Sequence, residues 1–376
     1  MEMLCRGDGL LQGVLDSLMR GIRHDMELAC AGGSVLWIPR RQPDGTFSVE
    51  SVSADRLSGW RFTPDGRLCA VTVRHDAFTD DGEHPCSMFE RFALEENGCR
   101  ITRYACRNPM PWLFMGEADG LPDDATGEPM PLEEVAQWRA LPGEELLEGC
   151  RTLPVALLRM PSCCRCSYDK PYGASVYAGA VGLIRDADLQ FSRYQWEFEG
   201  GELAIDASED LFRHNRAGAV LPAGKERLFR TNMLDMGSGG ELMKIFSPAL
   251  REEPLRMGLL LILSRIEDSC GLARGALTEI SSYDRTATEI KQSKQRFYIL
   301  IVDIQKQITT ALADLRDALA AIDEDFVGLD FDVSYGDSVV EDASSERVRD
   351  LEEVRAGVMT AAEFRAKWHM DNPAKQ

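Results

Sequence analysis

From Ala287 to Ala321 the chain runs without a glycine or a proline, and Ile290, Phe297, Ile301, Ile304, Ile308, Leu312, Leu315 and Leu319 fall along one stripe. That spacing predicts a single amphipathic helix. At about 1.5 Å per residue it is on the order of 50 Å long, too long for an ordinary small domain. Just ahead of it, Thr286 and Glu289 form a Thr-x-x-Glu capping box, in which hydroxyl and carboxylate satisfy each other's orphan backbone amides.

Charge is the second constraint. The 376 residues carry 62 acids and 42 bases, a net of −20. That balance excludes a protein that grips nucleic acid by neutralising its phosphates. The acidity is local, however. Ten acids stand against Arg139 between Glu117 and Glu148, and twelve against Arg347 and Arg349 between Ile322 and Glu353, so these stretches hold −9 and −10 and the rest nets −1. Each run reads most simply as a solvated face or loop, and otherwise as a surface that repels DNA or meets a basic partner.

The length suggests two or three domains, and a 44% hydrophobic share is enough for real cores. No apolar run approaches the roughly 18 residues of a membrane span; the best, Met257 to Leu263, ends at Ser264-Arg265. The acidic start, Met1-Glu2, lacks the basic region of a signal peptide, so no export and no membrane partner are expected. Eleven cysteines, odd in number and without paired spacing, fit a reduced, cytosolic setting.

Leu11, Leu15, Leu18, Ile22 and Met26 predict an opening amphipathic helix that stops before Gly32-Gly33. To about Met160 the texture is short β-type runs: Ser34 to Pro39, Thr46 to Val52, Leu68 to Arg74, Phe89 to Ala93 and Arg100 to Cys106. Between them, Pro43-Asp44-Gly45, Pro64-Asp65-Gly66 and Asp80-Asp81-Gly82 suit hairpin connections. An acidic, Pro/Gly-rich insertion lies near 116–146. A helix is expected over Ala174 to Glu199, ended by Gly200-Gly201, with Ala178, Gly179, Ala180 and Gly182 small enough for a close backbone neighbour. A compact mixed segment, 202–252, carries expected strands at 218–221 and 241–245 and the run Gly237-Ser238-Gly239-Gly240. Pro254 opens a helix to about Cys270. The stretch 271–285 breaks the helical pattern, and beyond the long helix a strand is expected from Phe326 to Tyr335, then two helices, the second behind a Thr360/Glu363 capping box. The fold class is α+β, β-rich first and helical second.

Motifs for catalysis are weak. Cys163-Cys164-Arg165-Cys166 lacks the two-knuckle spacing of a structural zinc site. Asp330, Asp332 and Asp337 could gather carboxylates for a metal-dependent nuclease or phosphoryl-transfer reaction. Yet Asp330 and Asp332 alternate with Leu329, Phe331 and Val333, the pattern of any half-exposed strand. The five histidines accompany no nucleophile motif, and there is no Gly-x-Ser-x-Gly, His-Glu-x-x-His or P-loop. The expectation is a non-enzyme with no cofactor and no metal. The segment 271–311 is a small basic island of six bases against four acids in a chain of −20.

Taken in order, several stretches resemble the portal proteins of tailed bacteriophages. They are Tyr172-Gly173-Ala174-Ser175-Val176-Tyr177 with Asp186 and Asp188, Glu197-Phe198-Glu199-Gly200-Gly201, Ile205-Asp206-Ala207-Ser208-Glu209-Asp210 and Phe246-Ser247-Pro248-Ala249-Leu250-Arg251. Cys270-Gly271-Leu272-Ala273-Arg274-Gly275, Arg285-Thr286-Ala287-Thr288-Glu289-Ile290 and the acidic run from Asp337 to Asp342 before Gly357-Val358-Met359-Thr360 continue the likeness. It is dense over 172–370 and weaker over 1–171. Portal proteins usually carry a further segment ahead of the helix that opens this chain, so a shortened version of the pattern is expected.

The resemblance implies a portal-like fold: a β-rich wing with the N-terminal helix at 1–171, a stem helix at 172–201 and a small mixed α/β clip at 202–252. A second stem helix follows at 253–270, then a tunnel loop at 271–285, a long wing helix at 286–321 and wing-edge or crown elements at 322–376. It implies a homo-oligomeric, dodecameric ring at one capsid vertex, in the virion and before that in the host cytoplasm. Double-stranded DNA is packaged and ejected through the ring without sequence recognition. Terminase, capsid or scaffold and head-completion proteins are the implied partners. The DNA-channel residues would be Arg274, Tyr283, Arg285, Lys291 and Lys294, and the clip contacts Arg213, Lys225, Arg227 and Arg230. A head-tail adaptor module is the nearest alternative.

Overall fold

The computed structural model describes residues 3–107, 127–162, 172–208, 211–215, 218–220, 228–232, 243–278, 287–335, 343–357, 360 and 364. It is mixed helix and strand, an α+β protein. Two compact units divide the chain, 1–178 with 285–376 and 179–284.

The larger unit opens with β1 (Met3–Gly7) and α1 (Leu10–Gly32). The expected stripe is the buried one, with Leu11, Leu15 and Leu18 in the core beside Val14. Gly33 ends the helix at φ 87°, its amide donating to Ala29 O at 2.7 Å. Strands β2 (Ser34–Arg41) and β3 (Phe47–Ser53) follow, then β4 (Leu57–Phe62), β5 (Leu68–Phe78), β6 (Pro85–Glu95), β7 (Gly98–Arg107), β8 (Glu128–Met130), β9 (Glu144–Glu148) and β10 (Ala156–Arg159). The three expected breakers do turn hairpins, with Gly45, Gly66 and Gly82 all at positive φ. The order β10-β2-β3 forms one antiparallel sheet, and β4-β5-β6-β7-β8, with β9 also on β7, forms another.

Strand β2 is buried from Ser34 through Pro39. Its apolar run is continuous because both faces are covered. Val35 and Trp37 join the cluster that includes α1, while Leu36 and Ile38 join Val71, Val73, Phe92 and Ile101 of the second sheet.

The helix expected from Ala174 begins later. Residues 172–177 are held by the larger unit: the Tyr172 ring stands edge-on to Trp60 and Phe62, at 5.1 and 5.6 Å, and the Val176 amide donates to Cys30 O. A Cβ on Gly173 would lie 1.9 Å from Gly33 O, so two glycines permit this crossing.

The smaller unit begins with a short 3₁₀ turn and α2 (Val181–Gly200). Strands β11 (Ala204–Ser208), β12 (Arg213–Asn215), β13 (Gly218–Val220), β14 (Phe229–Asn232) and β15 (Met243–Phe246) precede α3 (Glu252–Cys270). β11 lies between a parallel β14 and an antiparallel β15, and β12 pairs with β13.

The chain returns to the larger unit as α4 (Ala287–Ile322), the long helix the sequence predicts. Ile308, Ala311, Leu312, Leu315 and Leu319 pack in the core with α1, whereas Ile299 near its middle is exposed. The strand expected from Phe326 is shorter: a 3₁₀ turn, Glu324–Phe326, puts Phe326 edge-on to Phe47 at 5.3 Å, and Gly328 at φ 82° reverses the chain. Only then does β16 (Phe331–Tyr335) pair antiparallel with β1. Helix α5 (Ala343–Ala356) follows. Of the second expected helix, only Thr360 and Phe364 are described, joined by Phe364 N to Thr360 O at 3.0 Å.

The acidic stretch near 117–148 is not simply a solvated face. Glu134, Glu144 and Glu145 pair with Arg107, Arg100 and Arg103 of β7. Spacing alone does not show this, because the partners are some 27 to 44 residues away.

Candidate assembly face

Helices α2 and α3 pack along a seam of Ala180, Leu183, Ala187, Leu259, Ile262, Leu263 and Ile266. Of the four small residues expected to admit a close backbone, Ala180 is fully buried, while a Cβ on Gly179 would stand 3.1 Å from a side-chain atom, Ser269 Oγ. Gly182, by contrast, faces open space. Gln190 Nε2 donates to Leu255 O at 3.2 Å across the same seam.

The far end of the pair is closed by one carboxylate. Glu197 Oε1 accepts from the Arg251 amide at 2.9 Å and from Arg251 Nε at 3.1 Å, and Oε2 accepts from Nη2 at 2.7 Å. These donors, the guanidinium first, hold the Glu197 carboxyl below its ordinary range.

At the near end Glu267, with no exposed surface, organises the turn after α3. Its Oε1 accepts from the amides of Gly275, Leu277 and Thr278 at 3.1, 2.7 and 2.9 Å, and from Thr278 Oγ1 at 3.1 Å. Burial would raise its pKa; the amides of Leu277, Gly275 and Thr278 outweigh that and lower it. Gly271, at φ 70°, caps the helix. The loop expected at 271–285 therefore starts from a fixed root.

What the seam leaves outside is unusual for helices of a small unit. On α2, Leu189 and Trp196, seven residues apart, lie opposite the seam at 50% and 69% exposure. On α3, Met257 and Leu261, four apart, also lie opposite it at 55% and 63%. Helices apolar on both their inner and outer sides ordinarily have a second neighbour.

The residues expected to meet DNA or partners fall unevenly. Arg274 is exposed and pairs with Asp268, Nη2 to Oδ2 at 3.3 Å. Lys291 and Lys294 lie on the backbone of α4. Tyr283 and Arg285, like Lys225 and Arg227, lie outside the described residues, as do Thr286, Cys163, Cys164, Cys166 and the Gly237-Ser238-Gly239-Gly240 run. Arg213 is exposed on β12, and Arg230 stands opposite Asp206 in the β11–β14 register. Of the three aspartates weighed for metal chemistry, Asp337 is outside the described residues. Asp330 accepts from Arg316 Nη1 at 3.1 Å, and Asp332 is exposed on β16. Among the described residues no group of three His, Cys, Asp or Glu side chains could hold a metal ion, and no helix is long and apolar enough to cross a membrane.

Glu267 and the outward stripes of α2 and α3 are candidate functional features that the sequence motifs do not single out. The second had a signal: Met257 and Leu261 interleave with Leu259 and Leu263, so α3 is apolar around most of its circumference.

No protein-family model matches the chain, and no curated protein matches it in sequence.

Proposed function

We propose that this chain is a portal-like subunit that assembles head to tail into a ring, through which double-stranded DNA passes at one vertex of a tailed-phage capsid. The observation that carries the reading is the pair of outward apolar stripes, Leu189 with Trp196 on α2 and Met257 with Leu261 on α3. Two different patches on one subunit are what a rotational, heterologous interface requires. Covering four such side chains is worth roughly 6–12 kcal/mol gross at about 1.5–3 kcal/mol each. Association itself costs about 4–15 kcal/mol. An open dimer would leave half of each subunit's patches wet, whereas a closed ring covers them all.

In this reading the protein has no catalytic step of its own. Terminase supplies the ATP hydrolysis, the strands of the smaller unit offer the surface for terminase and head-completion proteins, and the dodecameric state and virion location follow from the family resemblance. Net acidity disfavours a tight hold on phosphate, and a few bases such as Lys291 and Lys294 supply weak, salt-screened contacts.

Native mass spectrometry and negative-stain imaging of the full chain test this. Ring views and a single high-order species support it; monomer alone at high concentration overturns it.

A further inference from the structure

The inward rows of the two sheets in the larger unit change chemistry at one end. On β2 the row runs Leu36, Ile38, Arg40; on β5 Val71, Val73, His75; on β7 Cys99, Ile101, Arg103; and on β6 Phe92 is followed by Glu90. An apolar interface thus ends in an ionic cluster.

Glu90 is completely buried. Arg40 donates to it twice, Nη1 to Oε1 at 3.1 Å and Nη2 to Oε2 at 2.5 Å, and Arg103 Nε donates to Oε1 at 2.8 Å. Arg40 Nε also donates to Glu50 Oε2 on β3 at 2.8 Å, and Arg103 reaches Glu145 of β9 at 3.3 Å. His75 sits between the same two carboxylates. Its Nδ1 lies 3.1 Å from Glu50 Oε1, and its Nε2 lies 3.3 Å from Glu90 Oε2, an ion-pair distance without hydrogen-bond alignment.

A neutral imidazole carries one N–H, so it can satisfy only one of two flanking carboxylates; the other meets a ring lone pair. Only the imidazolium attracts both. With His75 charged, the three cations Arg40, His75 and Arg103 balance the three anions Glu50, Glu90 and Glu145. With His75 neutral, a negative charge is left uncompensated beside a buried carboxylate.

We infer that His75 is a pH-operated clasp between the two sheets, tightest when its imidazole is protonated and weakened when it loses that proton. Burial alone would lower the pKa of His75, but Glu50 and Glu90 outweigh it and raise it above the ordinary value. A raised folded pKa means that the contribution is complete below about pH 6.5, the unfolded value, and is lost as pH rises through the folded value.

Histidine C2–H exchange followed by mass spectrometry on the full chain gives the midpoint of His75 directly. The expected midpoint lies above about 6.5, and one at or below it overturns the proposal. Urea unfolding supplies the second arm. Each unit of displacement corresponds to about a tenfold change in the folding constant, so the wild-type midpoint falls as pH rises above about 6.5, and by more than that of His75→Gln, whose remaining decline comes from buried thiols that ionise on unfolding. An equal fall in His75→Gln overturns the clasp. Should that variant not fold, Glu50→Gln is expected to bring the His75 midpoint down, and an unmoved midpoint counts against the proposal.

Discussion

Trp37 and Asp25 are joined inside the larger unit by an indole-to-carboxylate hydrogen bond, Nε1 to Oδ2, at 2.9 Å. The same oxygen accepts from Ser51 Oγ at 2.8 Å, so one buried side chain of α1 ties β2 and β3 to the helix. Asp25→Ala leaves a buried indole N–H and a hydroxyl without their acceptor. The expected loss is about 2–3 kcal/mol by urea denaturation, and Trp37→Phe in the Asp25→Ala background adds less than it does alone.

Gly33 combines a φ of 87° with a backbone neighbour that a Cβ would meet at 2.3 Å, Gly173 O. Gly33→Ala is expected to cost about 3 kcal/mol or more, or to prevent folding, because strain and overlap act together. Gly45→Ala, at φ 85° but in open space, is the control and costs about 1 kcal/mol. Thermal melts of the two variants check the difference.

Glu267→Ala removes the acceptor of three amides at the root of the loop after α3. Amide hydrogen exchange over 272–278 is expected to rise at least tenfold, with little change in β5 and β6 of the other unit.

The two outward stripes can be broken separately. Leu189→Glu with Trp196→Glu spoils one patch, and Leu261→Glu the other. If the interface is head to tail, neither variant assembles alone, but an equimolar mixture forms a dimer and nothing larger. Sedimentation velocity on the mixture reads this outcome. An isologous interface, in which like stripes meet, instead lets each variant dimerise on its own through the stripe it keeps.

Acid acts on the same cluster as the clasp, with the opposite sign. For Glu50, burial is outweighed by His75 and Arg40, which bring its carboxyl down to about 2. For Glu90 the same order of causes, burial against His75, Arg40 and Arg103, lowers it further. Depressed folded values mean stability present above about pH 4.3 and lost as pH falls through them. Glu50 is partly exposed, so solvent screening makes its share smaller than the displacement suggests. The urea midpoint is expected to fall between about pH 4.5 and 2.5, and Glu50→Gln to flatten that limb.

Elements were legible wherever a local rule acts. The absence of glycine and proline over 287–321 announced α4, and the Asp-Gly turns announced the hairpins of the β-rich part. β1, β4, β8, β9 and β10 carry no such local signature: β4 is irregular in register, and the others are short strands whose pairing partners are distant in sequence. Glu90, an acid between Phe89 and Phe92 in an apolar strand, was a visible signal of a buried ion, but nothing local names Arg40, 50 residues away, as its partner.

Sequence by itself therefore determined the α+β composition, the long helix, the hairpin turns and the local placement of charge, because periodicity, capping and turn chemistry act over a few residues. Tertiary structure alone decided that residues 172–177 belong to the larger unit, that acids of the insertion neutralise β7, and that two carboxylates enclose His75. Those outcomes depend on which distant surfaces exclude water from one another, and that is a property of the packed chain rather than of any window along it.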